Sequence, residues 1–170
     1  MLRKNIILVG FMGTGKTTCG RLVAKRLGYE FIDMDDVIET RAGKAISSIF
    51  AEDGEATFRR MESELAVELA GREGLVIGAG GGVVLNPANL EAFDRTGTTV
   101  CLLASPDTVL QRVAGETHRP LLEDGEKAER IRALLAQRQS LYEAIPLNVQ
   151  TDDQTPEEVA ERILKMHNAS

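Results

Sequence analysis

A chain of 170 residues that is 43% hydrophobic carries enough apolar material for one domain with a buried core, without disulfides or a structural metal. Its formal charge of −6 opposes extended contact with nucleic acid, because a phosphate backbone demands a surplus of cations on the face that meets it. The two cysteines, Cys19 and Cys101, lie far apart within helical or apolar patterns and form no CxxC pair, so they read as buried, inert thiols instead of metal ligands or a disulfide.

Arg3 and Lys4 precede an apolar run over residues 6–9, but a glycine ends that run long before it reaches the length of a signal-peptide core or a membrane span. A cytoplasmic protein with no membrane partner is expected. The first strand is predicted over 5–9. It leads into Gly10-Phe11-Met12-Gly13-Thr14-Gly15-Lys16-Thr17, which matches GxxxxGK[ST], and a helical run over 18–27 follows. In that strand–loop–helix context the backbone N–H groups turn inward at a phosphate and the helix adds the positive end of its dipole. Gly13, Thr14, Gly15, Lys16, Thr17 and Thr18 are therefore the expected nucleotide-binding set. Lys16 supplies a point charge to the outer phosphates, and the Thr17 hydroxyl is placed to ligate magnesium.

The second strand, 30–33, ends in Phe31-Ile32-Asp33-Met34-Asp35-Asp36, which sets carboxylates at the C-terminal edge of a parallel sheet, where open α/β folds bind ligands. If the strand continues, Asp33 and Asp35 alternate by two and share a side. A phosphoryl acceptor needs one carboxylate to take its proton, and a magnesium shell needs a second acid nearby. The competing reading is an acidic turn that caps the next helix. Further on, Phe58, Met61, Leu65 and Leu69 form a helical apolar stripe that sets Arg59 and Glu62 at i,i+3, ordinarily a solvated salt bridge.

A third strand over 75–78 runs into Gly80-Gly81-Gly82, for which the natural reason is close approach of a ligand to the main chain and the alternative a plain flexible turn. Asn86-Pro87, Ser105-Pro106 and Thr155-Pro156 each place a capping side chain before a proline suited to the first helical position. Strands are predicted over 98–103 and 147–150, with a polar stretch at 115–125 bounded by glycines between them. Thr155 and Glu158 form a capping box, and Val159, Ile163 and Met166 then recur on one face, which predicts a last helix packed on the sheet. Strands alternating with helices throughout indicate a parallel sheet of βαβ units.

A phosphate loop alone does not name a reaction. No Asn-Lys pair occurs, so the guanine-recognition element of a GTPase switch is missing, and the DxxG at 94–97 precedes a strand instead of following one.

Taken together, GFMGTGKTT, FIDMDD, FRRMESE, GAGGGVV, HRPLL and QRQSLYEAI, in this order, closely resemble the shikimate kinase family over essentially the whole chain. The resemblance implies a P-loop kinase fold: a five-stranded parallel sheet of order 2-3-1-4-5, helices on both faces, a helical acceptor-binding region near 34–62 and a mobile lid at 115–125. It implies transfer of the γ-phosphoryl of ATP, with Mg2+, to the 3-hydroxyl of shikimate on the route to chorismate and aromatic amino acids, by a monomer whose partners are small molecules. Carried over residue by residue, Asp35 is the base and binds substrate hydroxyls, Asp33 stands near magnesium, and Arg59 and Arg138 clamp the substrate carboxylate beside Gly80, Gly81 and Gly82. Arg119 in the lid reaches the transferring phosphoryl group, and Arg112 and Gln154 border the adenine. The physics agrees, since a guanidinium fork matches a planar carboxylate with two parallel charge-assisted hydrogen bonds. The chain departs from the family at Gly78-Ala79, where a threonine often precedes the triplet. His118 and His167 have no partner at metal-ligand spacing. A related kinase acting on gluconate and a nucleotide-binding module without turnover are the alternative readings.

Overall fold

The structure, a computed structural model, describes residues 3–114 and 126–170. Its strands come from the apolar runs: β1 (Asn5–Gly10) and β3 (Leu75–Gly78) are buried at every position, as strands covered on both faces must be. With β2 (Glu30–Asp33), β4 (Gly97–Leu103) and β5 (Asn148–Gln150) they form one parallel sheet in the order β2-β3-β1-β4-β5. This is the expected order. Strand limits differ from the sequence expectation by one residue at Gly10, Gly97 and Asn148. Ile6 of β1 stands between Val76 of β3 and Thr98 of β4, which fixes the register at the centre.

The period-two alternation of β1 divides the core. Ile6 and Leu8 face one layer with Val76, Val100 and Val149, covered by Val23 of α1 (Lys16–Leu27) and by Val159 and Ile163 of α8 (Pro156–Asn168). Ile7 and Val9 face the opposite layer, where Leu65 and Leu69 of α4 (Glu55–Ala70), Phe93 of α5 (Pro87–Asp94) and Tyr142 of α7 (Lys127–Glu143) pack. Each fully buried Ile, Leu or Val contributes about 1.5–3 kcal/mol, so the two layers together outweigh any single polar contact in the molecule.

All three proline-marked helix starts form. Asn86 Oδ1 accepts from Ala88 N–H at α5, Ser105 Oγ accepts from Thr108 N–H at α6 (Pro106–Ala114), and Thr155 with Glu158 closes the expected capping box on α8. The helical region expected over 34–62 is three helices, α2 (Met34–Ala42), α3 (Ile46–Asp53) and α4, the last running on to Ala70. Among the described residues no helix is long and apolar enough to cross a membrane. Because all strands are parallel, the loops that leave β1, β2 and β3 emerge at one edge of the sheet.

Candidate active site

The loop after β1 turns into α1 at Gly15, whose φ of 95° lies in the left-handed region open to glycine, and α1 then begins at Lys16 with no acidic residue in its first turn. The N–H groups of its first turn and its positive dipole end therefore face a cleft of about 320 Å³ lined by Gly13, Gly15, Lys16, Thr17 and Thr18. The Lys16 ammonium folds back along the loop and donates to the carbonyls of Gly10 (2.6 Å) and Phe11 (2.9 Å). Thr14 differs from its neighbours: it is buried, and its hydroxyl donates to the Phe11 carbonyl at 2.8 Å, so the side chain braces the loop and leaves only its main chain for a ligand.

Asp33 and Asp35 line the same cleft, but not as alternate residues of one strand. The strand stops at Asp33, which becomes the N-cap of α2: Oδ1 accepts from the N–H of Asp35 at 2.9 Å and of Asp36 at 3.4 Å. Asp33 therefore caps a helix with Oδ1, as the acidic-turn reading has it, while its Oδ2 takes the Thr17 hydroxyl at 3.3 Å. Asp35, one residue into α2, is carried toward the glycine triplet. A Cβ placed on Gly80 would lie 2.9 Å from Asp35 Oδ1 and 2.9 Å from Glu62 Oε2, so two carboxylates converge on the main chain there.

Arg59 is likewise pressed against the triplet. A side chain on Gly82 would overlap its guanidinium, which explains in steric terms why that residue lacks one. The guanidinium also lies 5.1 Å from the centroid of the Phe58 ring and 5.9 Å from that of Phe50. Its Nη1 donates to Glu62 Oε1 at 3.0 Å. The expectation of a solvated pair fails, because Glu62 is 1% exposed. Burial pushes the Glu62 carboxyl above its ordinary range, against the pull of Arg59 and Arg138. Among the described residues Glu62 Oε2 has no hydrogen-bond partner. Arg138, on α7, brings its Nη1 to 3.6 Å from a Cβ on Gly81, and Tyr142 one turn later donates its hydroxyl to the Gly81 carbonyl at 2.6 Å. Asp35, Arg59, Arg138 and Gly80 to Gly82 are thus brought together.

At the other end of the cleft, Arg112 of α6 donates to the carbonyl of Gly13 at 3.2 Å and to Thr151. Gln154 sits in the loop between β5 and α8, its N–H bonded to the Thr151 carbonyl at 3.3 Å, and does not line the cleft. Arg119, His118 and the expected lid at 115–125 lie outside the described residues. His167 is remote from the cleft, its ring against the Thr98 hydroxyl at the start of β4. Burial pushes the Cys19 thiol up to about 11 and the Cys101 thiol up to about 12, which makes both inert as read from sequence.

Sequence reasoning gave no role at the site to Glu62 or Tyr142. The signal for Glu62 was present: Phe58, Glu62, Leu65 and Leu69 fall on the buried face of α4 at helical spacing, with a carboxylate where an apolar residue belongs. Tyr142 carries no such mark, since nothing local announces that its hydroxyl meets a carbonyl 61 residues away.

A phosphate loop at the switch in strand order, acids after β2 and an arginine-lined glycine triplet after β3 define an ATP-dependent kinase of the P-loop class, a phosphotransferase. The sequence model described as "Shikimate kinase" matches residues 12–168. A shikimate kinase of Thermodesulfovibrio yellowstonii is 46% identical over 162 residues, covering 95% of this chain and 94% of its own, and one of Pelotomaculum thermopropionicum is 45% identical, covering 97% and 98%. Among solved structures, the shikimate kinase of Acinetobacter baumannii in complex with shikimate superposes with a TM-score of 0.90 at 36% identity, over 98% of this chain and 94% of that one. The chain belongs to the shikimate kinase family.

Proposed function

We propose that the protein transfers the γ-phosphoryl group of ATP to the 3-hydroxyl of shikimate, giving shikimate 3-phosphate and ADP on the route to chorismate and the aromatic amino acids. The observation that carries this reading is the convergence of Asp35, Arg59 and Arg138 on the triplet beside the phosphate loop. Arg59 and Arg138 take the substrate carboxylate, two guanidinium forks that a pocket for a neutral sugar would have no reason to supply. Asp35 accepts the hydroxyl proton as the new O–P bond forms and the bond from the γ-phosphorus to the β–γ bridging oxygen breaks. Charge on the outer phosphates is met by Lys16, and the main-chain N–H groups of Gly13, Thr14, Gly15, Thr17 and Thr18 cradle the phosphate chain behind it.

Magnesium fits the residues present. A magnesium ion on a nucleotide needs one or two hard protein oxygens, and the adjoining Thr17 Oγ1 and Asp33 Oδ2 supply them, although no cluster of three or more His, Cys, Asp or Glu stands ready among the described residues. When bound, the ion would screen the phosphate charge. On sequence resemblance Arg119 serves the transferring group and Arg112 and Gln154 the nucleotide's base, Gln154 from the loop beside the cleft and not from its lining. The whole chain acts as one domain and as a cytoplasmic monomer, with 34–62 on the acceptor side, 115–125 as the lid, and small molecules as its partners.

An assay coupling ADP release to a detectable product tests the proposal: magnesium-dependent turnover is expected with shikimate and none above background with gluconate. Folded, ATP-binding protein that turned over gluconate but not shikimate, or that bound ATP and ignored both, would overturn it.

A further inference from the structure

Arg112 is held at three points. Its Nη1 donates to the Gly13 carbonyl at 3.2 Å and to Thr151 Oγ1 at 3.0 Å, while Nη2 donates to the Thr151 carbonyl at 3.1 Å. Thr151 is itself fixed. It is 2% exposed, and its N–H and its hydroxyl both donate to the Leu103 carbonyl at the end of β4, each at 2.8 Å. With the hydroxyl proton committed to Leu103, the oxygen lone pairs face Arg112.

The neighbouring residues secure the same loop. Asp152 accepts from the N–H of Ser105 at 3.1 Å and from its hydroxyl at 3.0 Å, just before the helix that carries Arg112. Asp153 has φ 56°, the one positive value at a non-glycine residue among those described. A conformation of that kind persists where surrounding contacts over-determine it. The phosphate loop leans on α6 as well, since a Cβ on Gly13 would meet Val113 at 2.9 Å.

We propose that Thr151 is a positioning residue for the nucleotide: its hydroxyl and carbonyl hold the Arg112 guanidinium as a fixed wall of the cleft and tie it to the phosphate loop at Gly13. An arginine loses much rotamer freedom when it is ordered, and a frame that orders it in the folded protein moves that loss out of the binding step. The inference rests on the reading that this cleft takes ATP.

Turnover of ATP and shikimate by the wild type is measured first; its absence defeats that reading and leaves the geometry of Thr151 aside. Thr151→Val is nearly isosteric and removes the acceptor, whereas Thr151→Ser keeps it. Thr151→Val is expected to raise the KM for ATP about five- to tenfold with kcat and the KM for shikimate within about twofold, and Thr151→Ser to restore wild-type values. Because Thr151 acts through Arg112, adding Thr151→Val to Arg112→Met brings no further loss beyond Arg112→Met alone. An unchanged KM for ATP in Thr151→Val, equal losses for both substrates, or additive losses in the double variant would overturn the proposal. If Thr151→Val does not fold, Arg112→Lys decides: a lysine keeps the charge but cannot span Gly13 and Thr151 with one planar fork. Its KM for ATP then matches that of Arg112→Met, and a wild-type value would defeat the inference.

Discussion

Two carboxylates within reach of Gly80 differ in what surrounds them, and that difference separates their tasks. Asp35 lies in the first turn of α2 and lines the cleft beside Lys16, where the proposed reaction has it accept the proton of the incoming hydroxyl. Asp35→Asn keeps the shape and removes the proposed base; steady-state kinetics are expected to show kcat lower by about 10²–10⁴ with the KM for ATP little altered. Glu62, by contrast, is buried against Arg59 and acts on the pocket through that guanidinium. Burial raises its carboxyl from an ordinary value of 4.5, so the folded protein binds that proton more tightly than the unfolded chain does. Stability from this group is fully present below the unfolded value and is lost as pH rises through the raised, folded one. Glu62→Gln cannot ionise. In urea unfolding between about pH 4 and about pH 7, the stability of the wild type relative to Glu62→Gln is expected to fall as pH rises; a difference independent of pH would mean that Glu62 is not desolvated.

At the scale of elements, the capping box of α8 carries its own prediction. Thr155 Oγ1 accepts from Glu158 N–H at 3.2 Å and Glu158 Oε2 accepts from Thr155 N–H at 3.1 Å, starting a helix whose Val159 and Ile163 cover one face of the sheet. Thr155→Ala is expected to lower unfolding free energy by about 1 kcal/mol, read as a lower urea midpoint with unchanged slope. Elements with such marks were legible in the sequence, as were the strands, β1 and β3 as apolar runs and the others as short β-type runs between helical patterns. The acceptor-side helices were legible only as a region. Their division falls at Gly43 (φ 70°) and Gly54 (φ 88°), glycines that end α2 and α3 and a mark the sequence reading left unused, while the packing of both helices against α4 had no local signal. The turn at Asp33 belongs to the same class, because whether its carboxylate caps a helix or continues a strand depends on where the chain goes next.

For the whole molecule, three motifs separated by tens of residues become one site because β1 lies between β3 and β4 and all strands point the same way. Each motif could be read locally, and the strand order that joins them came with the family resemblance. The cross-links between motifs were not readable, since they join residues whose only relation is tertiary. Tyr142 is the clearest of them. Its hydroxyl meets the Gly81 carbonyl at 2.6 Å, its ring stands edge-on to Phe11 of the phosphate loop with centroids 6.5 Å apart, and its helix carries Arg138. One buried side chain thereby joins the acceptor side of the cleft to the nucleotide side. Tyr142→Phe retains the ring and its packing on Phe11 while leaving the Gly81 carbonyl without that donor. A loss of about 1–2 kcal/mol is expected in urea unfolding. Because the freed carbonyl lies in the triplet and Arg138 is one turn away, the KM for shikimate is expected to rise several-fold and the KM for ATP to change less. Equal rises for the two substrates would show that the tyrosine supports the cleft as a whole, and a wild-type profile with wild-type stability would show that the hydroxyl bond to Gly81 contributes nothing.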